Sequence, residues 1–178
     1  MDFIHHYHSP LGGITAASDG TALTGLWFDG QKYFGSTLSA YREERDLPIF
    51  EQTDAWLDIY FSGRAPGFTP LMSLRGTSFR RAVWELLLTV PFGMTITYGG
   101  IAALLAEQKG LPHMSAQAVG GAVGHNPISL IIPCHRVIAS DGSLTGYAGG
   151  LEKKMWLLEM EKAGISNPAF RKRNPPQD

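Results

Sequence analysis

The sequence predicts an α/β fold in two parts: a small antiparallel sheet covered by one helix, followed by a mainly helical region. Three observations carry this. The first 28 residues hold three short β-favouring runs separated by tight-turn sequences. Residues 62–70 contain two glycines and two prolines and make the best boundary in the chain. Beyond them, apolar residues recur at helical spacing. We therefore expect an N-terminal domain over 1–70, a second domain over 71–165 and a basic tail over 166–178. The chain has 178 residues, 44% hydrophobic and 17% charged, a composition that excludes a fibre or a disordered polymer. No apolar run reaches the roughly 18 residues of a spanning helix, and Met1-Asp2-Phe3-Ile4-His5-His6 lacks a basic region followed by an apolar core, so a cytoplasmic location is expected.

In chain order, residues 3–7, 13–17 and 23–28 are the strands, joined by Ser9-Pro10-Leu11-Gly12 and Asp19-Gly20. Residues 49–61 place Phe50, Ala55, Leu57, Ile59, Tyr60 and Phe61 at mixed helical spacing before Gly63, which predicts the helix that covers the sheet. Thr77 or Ser78 can cap a helix with Phe79, Val83, Leu86 and Leu87 on its apolar face, stopped by Pro91-Phe92-Gly93. Thr95-Ile96-Thr97 reads as a short extended piece. Thr97 can cap a helix over 98–106, and Ser115 one over 116–123, a pair arranged as a helix-turn-helix variant. The second of these holds Gly120-Gly121, and each glycine costs about 1 kcal/mol relative to Ala in a helix interior. Small residues there serve close approach, either to a neighbouring helix or to a nucleic-acid groove. Residues 128–132 form a continuous apolar run suited to a buried strand ending at Pro133, residues 140–143 a turn, and 146–150 a glycine-rich loop around Tyr147. A last helix is expected over 151–162, closed by Gly164.

Charge separates the two parts. Residues 1–75 carry five basic and nine acidic side chains, a net of −4, while 76–165 carry seven and six, and 166–178 add Arg171, Lys172 and Arg173 against Asp178. The C-terminal half therefore permits nucleic-acid contact, although a solvated basic tail explains the same asymmetry. A single cysteine, Cys134, excludes internal disulfides and a cysteine-rich zinc site. His5, His6 and His8 read as strand or surface residues.

A lone cysteine after an apolar run is most often an inert core residue. Here His135 adjoins Cys134 and Arg136 follows, so an imidazole or a cation is placed to lower the thiol pKa and supply the nucleophilic thiolate. Neighbouring side chains on a strand face opposite ways, so Cys134 and His135 must cooperate through a turn or a bridging water, with a third group orienting the histidine. The stripe Leu151, Met155, Leu158 leads on to Glu161, a carboxylate that is costly on an apolar face unless paired. It reads either as that orienting group or as a helix-end charge. Asn126, before Pro127, suits a structural role across the turn.

These residues carry a resemblance. Ile132-Pro133-Cys134-His135-Arg136-Val137 is similar to the active-site signature of the O6-alkylguanine-DNA alkyltransferase family, and Ala118-Val119-Gly120-Gly121, Asn126-Pro127, Gly146-Tyr147-Ala148-Gly149-Gly150-Leu151 and Trp156-Leu157-Leu158 match its flanks. The match covers about residues 77–162; the N-terminal half resembles the family only in size and strand content. The resemblance implies a ribonuclease-H-like α/β domain followed by a winged-helix-like domain whose helix-turn-helix enters the minor groove of double-stranded DNA. It implies direct-reversal repair, the alkyl group of O6-alkylguanine, and of O4-alkylthymine, passing irreversibly to a cysteine, by a monomer that uses no metal and no cofactor and has no membrane attachment.

Carried onto matching positions, the resemblance makes Cys134 the acceptor, His135 its base through water, Glu161 the residue that holds His135, and Asn126 a brace for the Cys134 turn. Tyr98 would press on the target phosphate, and the carbonyls of Cys134 and Val137 with the loop around Tyr147 and Ala148 would read the flipped guanine. Two positions depart from the pattern: Gln117 stands where an arginine commonly fills the gap left by the base, and Ala148 where some relatives carry serine. Two other functions compete, a lesion-binding protein without transfer and a cysteine hydrolase built on Cys134, His135 and Glu161. The first lacks a use for Cys134, the second an oxyanion hole.

Overall fold

The chain is described over residues 1–166 by a computed structural model. Of the expected tail, everything after Ser166, with Arg171, Lys172 and Arg173, lies outside the described residues. Strands β1 (Asp2–Ser9), β2 (Gly12–Ser18) and β3 (Leu23–Phe28) follow the three apolar runs and pair antiparallel in sequence. A further strand, β4 (Arg42–Glu44), pairs parallel to β1, giving the order β3-β2-β1-β4. Its Arg-Glu-Glu sequence offers no apolar alternation, so nothing in it signals a strand; such charge is what an edge strand carries to avoid pairing with other chains. Helix α1 (Pro48–Phe61) starts on a proline that needs no hydrogen-bond partner and buries Phe50, Thr53, Trp56, Leu57 and Tyr60 along one stripe.

The other edge of the sheet is occupied by the rest of the chain. Leu23 N–H donates to the Leu71 carbonyl at 2.8 Å, and Leu26 exchanges bonds with Pro127 and Ser129, both 2.8 Å. Thus β3 holds the segment that leads to Cys134. That segment is not the strand expected over 128–132: Ile128 alone bridges Leu26, Leu130 has φ +71°, and Ile132 N–H returns to the Ile128 carbonyl at 3.1 Å. The run is buried but coiled, because a continuous apolar run specifies burial, not extension.

Helices α2 (Ser78–Leu87), α3 (Tyr98–Lys109) and α4 (Ala116–Gly124) begin at Thr77, Thr97 and Ser115, whose hydroxyls accept backbone N–H groups at 3.2, 3.0 and 3.2 Å. The Trp84 indole ties α2 to the Ala122 carbonyl of α4 at 2.8 Å. Strand β5 (Ile96–Thr97) pairs parallel to β6 (Val137–Ile138), and between α4 and β6 a 3-10 helix spans Cys134–Arg136. Helix α5 (Leu151–Ile165) buries Lys154, Leu157, Glu161 and Gly164. The stripe expected there is displaced, since Leu151 and Met155 are 47% and 49% exposed. Gly164 does not close the helix, which is capped at Ser166; a Cβ at 164 would run into the Gly63 carbonyl and the Phe92 ring. Among the described residues no helix is long and apolar enough to cross a membrane.

Candidate active site

Cys134 opens the 3-10 helix and is only 6% exposed. It lines a cavity of about 380 Å³ together with Tyr98, Gly120, Gly121, Tyr147 and Ala148; small-molecule sites run from about 300 to 1,000 Å³. Lys32 and Tyr33, from the loop after β3, complete one wall, where the Tyr33 ring stacks on His125 at 4.0 Å. The glycines of α4 answer to this cavity and not to helix packing. Among the described residues a Cβ on Gly121 or Gly124 would meet nothing within 4 Å, and one on Gly120 would only touch the Tyr98 ring at 3.8 Å, so no described neighbour requires them.

Below Cys134 lies a closed polar network. Glu161 accepts from His135 Nε2, from Arg136 Nε at 2.7 Å, from the Tyr60 hydroxyl at 2.6 Å and from Gly93 N–H at 2.9 Å. Burial pushes its carboxyl up, but His135 and Arg136 outweigh that and hold it below the usual carboxylate range. Glu161 is therefore an ion that accepts only, and His135 Nε2 carries the ring hydrogen. Among the described residues the other nitrogen, Nδ1, is buried without a hydrogen-bond partner. Burial moves His135 down against the pull of Glu161, which favours the neutral imidazole. Asn126 spans the preceding turn, donating from Nδ2 to the Ile132 carbonyl at 2.8 Å and accepting from Ile128 N–H at 3.0 Å.

The expected lowering of the thiol pKa is not met. Burial pushes Cys134 up, partly countered by Asn126 and by the charge of Lys154, and Arg136 spends its charge on Glu161 and the Val90 carbonyl, the latter at 2.7 Å. The thiol thus rests protonated and needs a base to release it.

Two residues here were not foreseen. Tyr60 comes from α1, 75 residues before His135, and nothing local distinguishes it from the other aromatics of that helix. Lys154 is fully buried, its ammonium donating to the carbonyls of Val137 at 2.6 Å, Thr145 at 3.2 Å and Gly146 at 3.1 Å. Its signal was the spacing to Leu157 and Glu161, three and seven residues on. Of the remaining expected site residues, Tyr98 lies in the cavity wall with its hydroxyl on the Thr145 carbonyl at 3.2 Å. Val137 is buried with its carbonyl on Lys154, the Cys134 carbonyl accepts the Val137 N–H, and Gln117 is exposed on the first turn of α4, outside the cavity lining. His5 and His6 lie in β1, paired with Asp54 at 2.8 Å and Glu44 at 3.0 Å.

The family models described as 6-O-methylguanine DNA methyltransferase, ribonuclease-like domain, and 6-O-methylguanine DNA methyltransferase, DNA binding domain, match residues 3–71 and 78–163. The methylated-DNA–protein-cysteine methyltransferase of Mycobacterium tuberculosis is 44% identical over 161 residues, covering 89% of this chain and 93% of its own. That of Haemophilus influenzae is 37% identical over 158 residues, covering 88% and 84%. The crystal structure of the M. tuberculosis protein in complex with DNA superposes with a TM-score of 0.78 at 42% identity, over 91% of this chain and 94% of that one. With the expected signature, the expected α/β architecture and both family models on one chain, the protein belongs to the 6-O-methylguanine DNA methyltransferase family, which repairs DNA by direct reversal, passing the alkyl group to a cysteine of the protein itself.

Proposed function

We propose that Cys134 is the alkyl acceptor and that His135, Glu161 and Asn126 prepare it. The observation that carries this is the unpaired Nδ1 of His135, a buried base whose other nitrogen is locked by Glu161, on the residue next to the cavity's only thiol. A water bridging Nδ1 and Sγ takes the thiol proton and hands one of its own to Nδ1, leaving a thiolate and an imidazolium. The sulfur attacks the alkyl carbon attached to O6, an S–C bond forms as the C–O bond breaks, and guanine leaves as its anion. That anion takes the thiol proton through the relay, or takes one from the Tyr98 hydroxyl, which the relay proton then restores, so on balance the thiol proton ends on guanine. The product is a thioether, and the chain has no second cysteine to resolve it, so each molecule acts once.

In this reading the substrate is double-stranded DNA carrying alkylated guanine, bound through the minor groove by α4, with the base flipped into the cavity. Support comes from the glycines that keep α4 bare beside the cavity and from the exposure of Gln117, free to enter the gap left by the base. Tyr147 and Ala148 form the wall against the base, and the Val137 carbonyl retains a second lone pair beyond its bond to Lys154. The same reading divides the chain near residue 70, as the two family matches suggest, and makes the protein a cytoplasmic monomer.

Intact-mass spectrometry after incubation with a duplex containing O6-methylguanine tests the proposal. One added methyl per protein, located on Cys134, is expected. Lesion binding with no mass gain, or turnover with no adduct, overturns it.

A further inference from the structure

Tyr60 sits on α1, in the N-terminal part of the chain, yet its hydroxyl is wholly buried against two residues of the C-terminal part. It lies 2.6 Å from Glu161 Oε2 and 3.2 Å from His135 Nε2. A phenol has one hydrogen to give. Glu161 is an anion and can only accept, so the phenol hydrogen goes to Glu161 and the oxygen's lone pair is left toward His135. Nε2 then faces two acceptors, the carboxylate and the phenol oxygen, and satisfies them only as N–H. Burial and the neighbouring charge of Glu161 push the Tyr60 hydroxyl well above its ordinary pKa, so this arrangement holds over the whole working pH range.

The ring itself is fixed. It stacks on Trp56 at 5.1 Å and meets the edges of Phe61, Phe92 and His135 at 5.4, 6.0 and 6.2 Å. A hydroxyl held this rigidly sets the imidazole hydrogen by geometry, at no further conformational cost.

We propose that Tyr60 is a positioning residue of the transfer reaction: donating to Glu161 and accepting from His135, it keeps the imidazole neutral with its hydrogen on Nε2 and its base, Nδ1, free. This rests on the reading of His135 as the base for Cys134. Without the phenol, Glu161 loses one of its four donors and holds its negative charge less well dispersed. It then stabilises a doubly protonated imidazolium more strongly, and Nδ1 becomes a donor where a base is needed. The groups facing His135 from every side enter that balance: Glu161 and Lys154 from α5, Tyr60 from α1, Arg136 from its own turn, and the Cys134 thiol with the Tyr147 phenol at the cavity. The substitution Tyr60→Phe removes both hydrogen bonds of the phenol and keeps the ring that packs.

The test is the pH dependence of single-turnover methyl transfer from duplex DNA by the full chain and by Tyr60→Phe, with ¹⁵N NMR of the His135 ring. The acid limb of the rate profile is expected to move up by about half to one pH unit in Tyr60→Phe, giving a roughly three- to ten-fold slower transfer below the limb, with the alkaline plateau within two-fold of wild type. Nδ1 should resonate as an unprotonated nitrogen at neutral pH in the wild type and lose that signature at a higher pH in the variant. A uniform drop across all pH values with a lowered Tm, or an unmoved acid limb with an unchanged Nδ1 signal, overturns the proposal and leaves Tyr60 a packing residue. If the wild-type rate shows no limb that follows His135 protonation, then the relay reading fails instead, and the two failures are told apart on the wild type alone. Tyr60→Leu, which removes ring and hydroxyl together, should show the same limb shift with an added loss of Tm.

Discussion

His6 and His135 each hold a carboxylate at hydrogen-bond distance, yet only one of these pairs is shut away from water. His6 meets Glu44 at 3.0 Å with the side chains 48% and 71% exposed, while His135 meets Glu161 with the side chains 0% and 1% exposed. At the surface, water replaces Glu44 as readily as it is displaced, so the pair itself contributes little, even though the other ring nitrogen of His6 lies 3.2 Å from the Thr15 hydroxyl. In the interior no water substitutes, and every remaining lone pair of Glu161 must find a donor in the chain. Arg136, Tyr60 and the Gly93 N–H supply them. The same two functional groups become a relay or a solvated ornament according to what closes the valences around them.

The largest effect is expected above the buried pair. Cys134→Ala should abolish transfer and leave affinity for lesion-bearing duplex within a few-fold, because binding rests on phosphate and groove contacts and not on the sulfur; the intact mass after incubation reads the first, fluorescence anisotropy the second. An adduct of unchanged yield in the variant would sink the assignment.

Breaking the buried pair comes next. Glu161→Gln leaves Arg136 buried beside a neutral amide, so transfer should slow by roughly 10-fold or more and unfolding should become easier by about 3–5 kcal/mol. Acid titration sharpens this: a carboxyl held low in the folded state contributes stability that is complete above the unfolded value of about 4.3 and is lost as the pH falls toward about 2. Denaturant melts across that window should therefore fall more steeply for wild type than for Glu161→Gln. Parallel curves would reduce Glu161 to a helix-end charge.

A smaller effect is expected where the cavity meets DNA. Gln117→Ala should slow transfer on duplex a few-fold while leaving reaction with the free O6-methylguanine base unchanged, since only the duplex needs a side chain to fill the gap left by a flipped nucleotide. Gln117→Arg should improve duplex reaction and steepen its salt dependence by about one counterion. Equal effects of Gln117→Ala on both substrates would rule the wedge out.

The smallest effect belongs to the surface pair. Glu44→Gln or His6→Ala should shift stability by no more than about 0.5 kcal/mol and leave the transfer rate within error. A loss comparable to that of Glu161→Gln would break the contrast from which these expectations start.

Strands β1 to β3, helices α1 to α4 and their three hydroxyl caps were legible because their signals are local: alternation, turn residues, a Thr or Ser ahead of an apolar stripe. Cys134, His135 and Asn126 were legible for the same reason, lying within nine residues of one another around Pro127 and Pro133. Glu161 was found on the wrong stripe. The helix period placed it with Leu151, Met155 and Leu158, whereas packing buries it with Lys154 and Leu157. A helical wheel gives the relative phase of residues but not which side faces the core, and α5 has apolar residues on both.

By itself, then, the amino-acid sequence determined the α/β class and the family, and singled out the candidate nucleophile and the candidate base beside it, because each is written in short-range patterns or in an ordered signature. Only the tertiary structure decided that residues 128–132 coil instead of extending, since the partner that holds them, β3, is about a hundred residues away. It alone brought Tyr60 from the first part of the chain and Lys154 from the last helix to the two sides of His135 and Val137. It alone set the state of the thiol, which burial raises although an imidazole and a guanidinium follow it in sequence. Sequence adjacency names the groups present, but desolvation and the closing of hydrogen-bond valences depend on three-dimensional neighbours, and these decide which proton each group holds.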